Sequence, residues 1–79
     1  MSHDAQLSRL VYMANQIGTF FASRPEEEAI AEIEGHIRKF WDPRMRRQIA
    51  SLLDREDSGL SPRVRKAVLR LNQTLQMSI

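Results

Sequence analysis

The sequence predicts an all-α protein, a small compact bundle of about four short helices. Apolar residues recur at steps of three and four in four successive segments, which is the spacing of one face of an amphipathic helix. Two pairs, Asp42-Pro43 and Ser61-Pro62, combine a helix-capping side chain with a proline that opens a helix. No segment shows the alternation of apolar and polar residues that is typical of a half-buried strand.

The first two predicted helices cover about residues 5–22 and 25–41. The apolar face of the first consists of Leu7, Leu10, Val11, Ala14, Ile17 and Phe21. The second begins with Pro25, which a first helical turn tolerates, and with Glu26–Glu28, whose charge suits the positive helix N-terminus. Its apolar face consists of Ile30, Ile33, Ile37 and Trp41.

The third and fourth predicted helices cover about residues 43–55 and 62–76. Asp42 caps the third helix and Pro43 opens it, because the residue before a proline is pushed out of the helical region. Its apolar stripe consists of Met45, Ile49, Leu52 and Leu53. The stripe of the fourth helix consists of Val64, Val68, Leu71 and Leu75.

Length and composition limit the class of protein. A chain of 79 residues is one domain, and we expect residues 1–4 and 77–79 at its ends to be loosely ordered. The absence of cysteine excludes disulfides, thiolate metal sites, iron–sulfur ligation and cysteine nucleophiles. We find no signal peptide and no stretch near the roughly 20 apolar residues that span a bilayer. We therefore expect a cytoplasmic protein that does not enter membranes.

Charge is unevenly distributed, since residues 1–43 carry a net charge of −3 and residues 44–79 carry +5. Five of the twelve basic side chains and the only tryptophan fall in HIRKFWDPRMRRQ, residues 36–48. Helical spacing places Trp41 in the core. It places Arg44 and Arg47 on the outer face of the third helix, whose simplest interpretation is a solvated surface, although the surplus of positive charge suggests a surface for a negative partner.

Arg46 differs from these two arginines because it lies at the edge of the apolar stripe. There its stem could pack against the core while its guanidinium reaches a carboxylate. We expect Glu26–Glu28 to offer such a carboxylate.

Catalytic chemistry finds little support in the sequence. His36 is the only histidine expected at a defined place, and Glu32 is its only evident companion at a metal-ligand spacing. No serine lies in a nucleophile-elbow motif, and the three glycines are scattered rather than gathered in a phosphate loop. We therefore expect no catalytic residue, no metal site and no cofactor in this chain.

Three strings of the sequence resemble a known family. VYMANQIGTFFAS (11–23), HIRKFWDPRMRRQ (36–48) and GLSP (59–62) are similar to the delta subunit of cytosolic NAD-dependent formate dehydrogenases. In that family a small delta chain without a cofactor accompanies a large molybdenum or tungsten subunit, which carries a pterin cofactor and iron–sulfur clusters. Associated subunits pass electrons through flavin to NAD. The resemblance implies an accessory subunit that supports assembly or stability of such a complex, with formate and NAD handled elsewhere.

The resemblance also implies which residues matter. The partner-binding candidates are Met13, Asn15, Phe20, Arg38, Arg44, Arg46 and Arg47. The framework candidates are Trp41, Asp42, Pro43 and Met45. A permanent subunit, a transient assembly factor and a helper in cofactor insertion are all compatible with these residues, and so are molybdenum and tungsten in the partner.

Two other functions remain open from the residues alone. The basic second half and the arginine-rich helix junction are compatible with a small helix-turn-helix-like nucleic-acid-binding protein, although the acidic second helix disfavours it. A homo-oligomer is also possible, formed through the wide apolar face of the first helix. That face includes Leu10, Met13, Ile17 and Phe20.

Overall fold

The computed structural model describes residues 3–77 of the chain, with side chains for residues 5–73. It contains four helices, α1 (His3–Phe20), α2 (Glu26–Phe40), α3 (Pro43–Ala50) and α4 (Pro62–Met77). No strand occurs within residues 3–77, so the predicted all-α class is confirmed. The loosely ordered ends predicted for residues 1–4 and 77–79 lie largely outside the described residues.

The junction between α2 and α3 forms as the sequence predicts. Asp42 is the N-cap of α3, and its Oδ1 accepts a hydrogen bond of 2.8 Å from the Met45 backbone N–H. Pro43 occupies the first turn of α3, where its missing N–H costs no helical hydrogen bond. The cap therefore fixes where the chain turns from α2 into α3.

The end of α3 differs from the prediction, because the helix stops at Ala50 rather than near residue 55. The chain continues in tight turns, in which the Leu52 N–H donates to the Ile49 carbonyl at 3.1 Å. Ser51 Oγ donates to the Gln48 carbonyl at 2.6 Å and so competes with the helical hydrogen bond of that carbonyl. Leu52 remains buried in these turns, so the apolar periodicity of the sequence continues beyond the last residue of the helix.

All four helices contribute to one hydrophobic core, and α2 packs most extensively against α4. The largest fully buried side chains are Ile30, Ile33, Ile37, Ile49, Val64, Val68 and Leu71. Trp41 is only 6% exposed, which confirms its predicted place in the core. Gly18 lets α1 approach α4 closely, since a Cβ there would lie 2.6 Å from Val64 Cγ2.

The acidic start of α2 faces the basic α4. Lys66 Nζ lies 2.7 Å from Glu26 Oε2, and Arg70 Nη2 lies 2.7 Å from Glu27 Oε1. The hydrogen bond and the positive charge of Lys66 lower the pKa of the Glu26 carboxyl below its usual value. Part of the charge asymmetry between the two halves is therefore neutralised within the chain.

Candidate functional site

Two arginines of α4 bind carbonyl groups that follow the ends of other helices. Arg63 Nη1 donates to the Ala22 carbonyl at 3.2 Å, just beyond α1. Arg65 Nη2 donates to the Leu53 carbonyl in the turns beyond α3. Carbonyl groups at helix C-termini lack helical partners and favour nearby cations. These two basic side chains therefore stabilise the fold.

Arg46 has a similar role at the end of α2. Its Nη1 donates to the Arg38 carbonyl at 3.4 Å, while its Nε is buried and has no hydrogen-bond partner among the described residues. The expectation that Arg46 reaches a carboxylate of Glu26–Glu28 is wrong. Those glutamates begin α2 whereas Arg46 lies beside its last turn, about 16 Å away along the helix.

The remaining arginines of the basic string divide into paired and unpaired groups. Arg38 Nη2 lies 2.5 Å from Glu34 Oε2, one turn away on α2. The side chains of Arg44 and Arg47 are exposed, and neither side chain forms an ion pair or a hydrogen bond within the described part of the chain. Lys39 is likewise exposed and unpaired among the described residues. These three cations are accessible to another molecule.

Asn15 connects two of the strings that carry the family resemblance. Its Nδ2 donates to the Gly59 carbonyl at 2.9 Å, and its Oδ1 accepts from the Ser61 N–H at 3.0 Å. Gly59 has a φ of 91°, a left-handed conformation that favours glycine. The half-buried amide of Asn15 thus holds the turn before α4 against α1, which gives this partner-binding candidate an internal structural role.

Aromatic side chains at the end of α1, just beyond it and on α2 lie close together near the surface. Phe20 and Phe21 pack edge to face, with their ring centroids 4.9 Å apart. Phe20 is 78% exposed. Phe21 lines a groove of about 270 Å³ together with His36 and Phe40, whose ring centroids are 4.7 Å apart. We call this the aromatic groove; it is lined by Phe21, Glu32, Gly35, His36, Lys39 and Phe40.

The sequence analysis selects Phe20, which packs against the groove residue Phe21 but does not line the groove, and it does not select Phe40 of α2, which does. Phe40 is 68% exposed although it directly precedes the buried Trp41. The sequence does contain a signal for Phe40. It is a large aromatic residue outside the apolar stripe of α2, and it lies four positions after His36, so the two side chains share a helix face. Met13, another candidate on α1, is exposed as well, although less than Phe20 and Phe40.

The described residues contain neither a metal-binding cluster nor a membrane-spanning helix. Within residues 3–77, no group of three or more histidine, aspartate or glutamate side chains is arranged to hold a metal ion. None of the helices in the described chain has both the length and the apolar character needed to cross a membrane.

Comparison with known protein families identifies the chain's relatives. A family model described as the NADH-dependent formate dehydrogenase delta subunit FdsD matches residues 9–68, well over half of the chain. The chain belongs to this family. The resemblance seen in the sequence is therefore confirmed, and the FdsD match includes Asn15, the aromatic groove and the unpaired Arg44 and Arg47. No curated protein and no solved structure matches the chain significantly.

Proposed function

We propose that this FdsD chain is a non-catalytic accessory subunit of a cytoplasmic NADH-dependent formate dehydrogenase. It supports assembly or stability of the complex by binding the large molybdenum or tungsten subunit, together with its associated subunits. The family match is the observation that carries this proposal. Formate oxidation and electron transfer to NAD then belong to the other subunits, and this chain contributes no cofactor.

The surface of the chain is compatible with this role. Phe20 and Phe40 expose most of their rings, and Arg44 and Arg47 have no partner among the described residues. A domain of this size gains only about 3–5 kcal/mol from its core, so burial against a larger protein would stabilise it appreciably. Apolar and basic surfaces of this kind are typical of protein interfaces, where aromatic residues and arginine are enriched.

The nucleic-acid alternative loses much of its support in the folded chain. Arg63 and Arg65 bind backbone carbonyls, while Lys66 and Arg70 face the glutamates of α2. Arg46 binds the Arg38 carbonyl and Arg55 Nε lies 3.5 Å from Asp57 Oδ1, so six of the eight basic side chains after residue 43 have partners within the chain. Fewer cations remain for the phosphate contacts on which non-specific nucleic-acid binding depends.

The proposal is tested by isolating the tagged chain from its native host at its endogenous level. We expect the large molybdenum or tungsten subunit to co-purify, and the complex to oxidise formate with NAD. A chain that is absent from the mature complex but bound to its precursors would be an assembly factor. Recovery of nucleic acid in place of the large subunit would contradict the proposal.

A second measurement concerns the chain by itself. Elemental and cofactor analysis of the purified protein should find no stoichiometric metal, flavin or pterin, and the protein alone should not oxidise formate. One equivalent of zinc or iron, or formate oxidation without other subunits, would refute the non-catalytic role. Its mass by size-exclusion chromatography with light scattering would show whether the isolated chain forms a homo-oligomer.

A further inference from the structure

We infer that the aromatic groove binds a single apolar anchor side chain of the large subunit. A carboxylate next to this anchor in the large subunit pairs with Lys39. This inference rests on the proposed function and adds to it the surface and the chemistry of the contact. The occupant is a protein segment with one aliphatic or aromatic side chain and a neighbouring aspartate or glutamate.

The shape of the groove suits such an anchor. Phe21 forms an apolar wall and is only 9% exposed, whereas Phe40 projects beside the opening with 68% of its surface exposed. A volume of about 270 Å³ accommodates one large apolar side chain. Anchors that fill pockets lined by aromatic rings typically dominate the binding free energy of protein interfaces.

Gly35 gives an independent indication that another molecule approaches here. It lies in the interior of α2, where alanine would stabilise the helix, and its φ is not positive. Beyond its chain neighbours and the backbone of its own helix, a Cβ at this position would meet no atom within 4 Å, so the fold does not require glycine. The missing side chain does keep the groove open, because Gly35 is one of its lining residues.

The charge around the groove favours an acidic occupant. Glu32 is compensated by Arg24, whose Nη1 lies 3.4 Å from Glu32 Oε2. Lys39 has no such partner among the described residues, and the unpaired Arg44 and Arg47 follow it at the start of α3. A carboxylate beside the anchor would find an uncompensated cation at Lys39, whereas a basic segment would be repelled.

The test is a competition inside the cell for the same large subunit. Wild-type chain and a variant, each with a different tag, are co-expressed with the formate dehydrogenase subunits, and their ratio in the isolated complex is measured. Phe40→Ala removes one wall of the groove, and Gly35→Leu fills it. Each should be incorporated about 30-fold less than wild type, the loss typical of removing an interface hot spot. Lys39→Glu should also be disfavoured.

Control variants separate the groove from general effects on folding. Tyr12→Ala removes an aromatic ring of α1 that is 64% exposed but does not line the groove, so it should be incorporated like wild type. Gly35→Leu should keep a thermal midpoint at or above that of wild type, because its Cβ has free space around it and leucine favours a helix interior more than glycine does.

The outcomes distinguish this inference from the proposed function. If wild-type chain does not retain the large subunit, both fail. If wild type is retained and Phe40→Ala and Gly35→Leu compete equally with it, only the groove inference is overturned. Two other results also overturn it: a dimer of the isolated chain that Gly35→Leu disrupts, which would make a second copy the occupant, or binding of single-stranded oligonucleotides that depends on Phe40.

Discussion

Ser61 and Asn15, 46 positions apart, are joined by a hydrogen bond of 3.0 Å from the Ser61 N–H to Asn15 Oδ1. The same side chain donates to the Gly59 carbonyl at 2.9 Å. One amide group thus satisfies both a donor and an acceptor of the turn that leads into α4. The MANQI and GLSP strings therefore form one structural unit although they are distant in the sequence.

Asn15→Ala should destabilise the fold by about 1–3 kcal/mol, since it leaves two backbone groups of a half-buried turn without partners. Urea denaturation followed by circular dichroism measures the change. Gln16→Ala, at the exposed neighbouring position, should stay within about 0.5 kcal/mol of wild type. Equal stability of Asn15→Ala and wild type would mean that water replaces both hydrogen bonds.

Substitution of Gly18 and of Gly35 by alanine should have opposite effects on the stability of the fold. Gly18→Ala places a Cβ 2.6 Å from Val64 Cγ2 and should destabilise the fold by about 1–3 kcal/mol through overpacking. Gly35→Ala meets no atom within 4 Å and should stabilise α2 by about 0.5–1 kcal/mol. Thermal unfolding of the two variants checks the signs, and a stabilising Gly18→Ala would contradict the close approach of α1 and α4.

Trp41 and Phe40 are adjacent aromatic residues with opposite surroundings. Trp41→Ala removes a core side chain and should cost about 3–5 kcal/mol, which a domain this small will hardly withstand. Phe40→Ala truncates a ring that is 68% exposed and should change the free energy of unfolding by no more than about 0.5 kcal/mol. Denaturant midpoints compare the two. Similar midpoints for Trp41→Ala and wild type would place the tryptophan at the surface.

The features that the sequence predicts correctly depend on neighbouring residues. Asp42 and Pro43 mark the start of α3 because capping and proline geometry act within a single helical turn. Trp41 is placed in the core by its spacing from Ile33 and Ile37 on the same helix. These signals operate inside one element, so they do not require knowledge of how the helices pack.

The features that the sequence does not reveal depend on contacts between elements. Arg46 binds the Arg38 carbonyl because the turn at Trp41 and Asp42 brings its guanidinium beside the last turn of α2, and the apolar periodicity of α3 does not specify that direction. The exposure of Phe40 and its place in the aromatic groove likewise depend on where Phe21 lies. The sequence does not reveal the early end of α3, because Leu52 stays buried in the tight turns after Ala50 and so keeps the apolar period of a helix.

The ion pair between Glu26 and Lys66 should make the stability of the fold depend on pH. Hydrogen bonding to Lys66 Nζ at 2.7 Å lowers the pKa of the Glu26 carboxyl below its usual 4.5. A carboxyl with a depressed pKa stabilises the fold above its unfolded-state pKa, and this stabilisation is lost as pH falls through the lower, folded-state value. Lys66→Met should therefore raise the pKa of Glu26, as measured by NMR titration of its carboxyl carbon.

Lys66→Arg is the matched control for this titration because it keeps the positive charge, and the pKa of Glu26 should stay depressed in that variant. Added salt should reduce the shift in wild type, since both side chains are exposed and their attraction is screened. An unchanged pKa in Lys66→Met would mean that the ion pair is not populated in solution.

Variants of Arg44 and Arg47 distinguish an effect on assembly of the complex from an effect on folding of the chain. Both are exposed and unpaired among the described residues, so reversing both to glutamate should change the free energy of unfolding by no more than about 0.5 kcal/mol per site. If they dock against acidic groups of the large subunit, the reversal replaces attraction with repulsion and costs several kcal/mol across the interface. The double variant should then keep its helical circular dichroism and melting temperature but be lost from the isolated formate dehydrogenase complex. Retention at wild-type stoichiometry would identify Arg44 and Arg47 as a solvated face, and it would leave the aromatic groove and the exposed flank of α1 at Met13 and Phe20 as the surfaces that bind the partner.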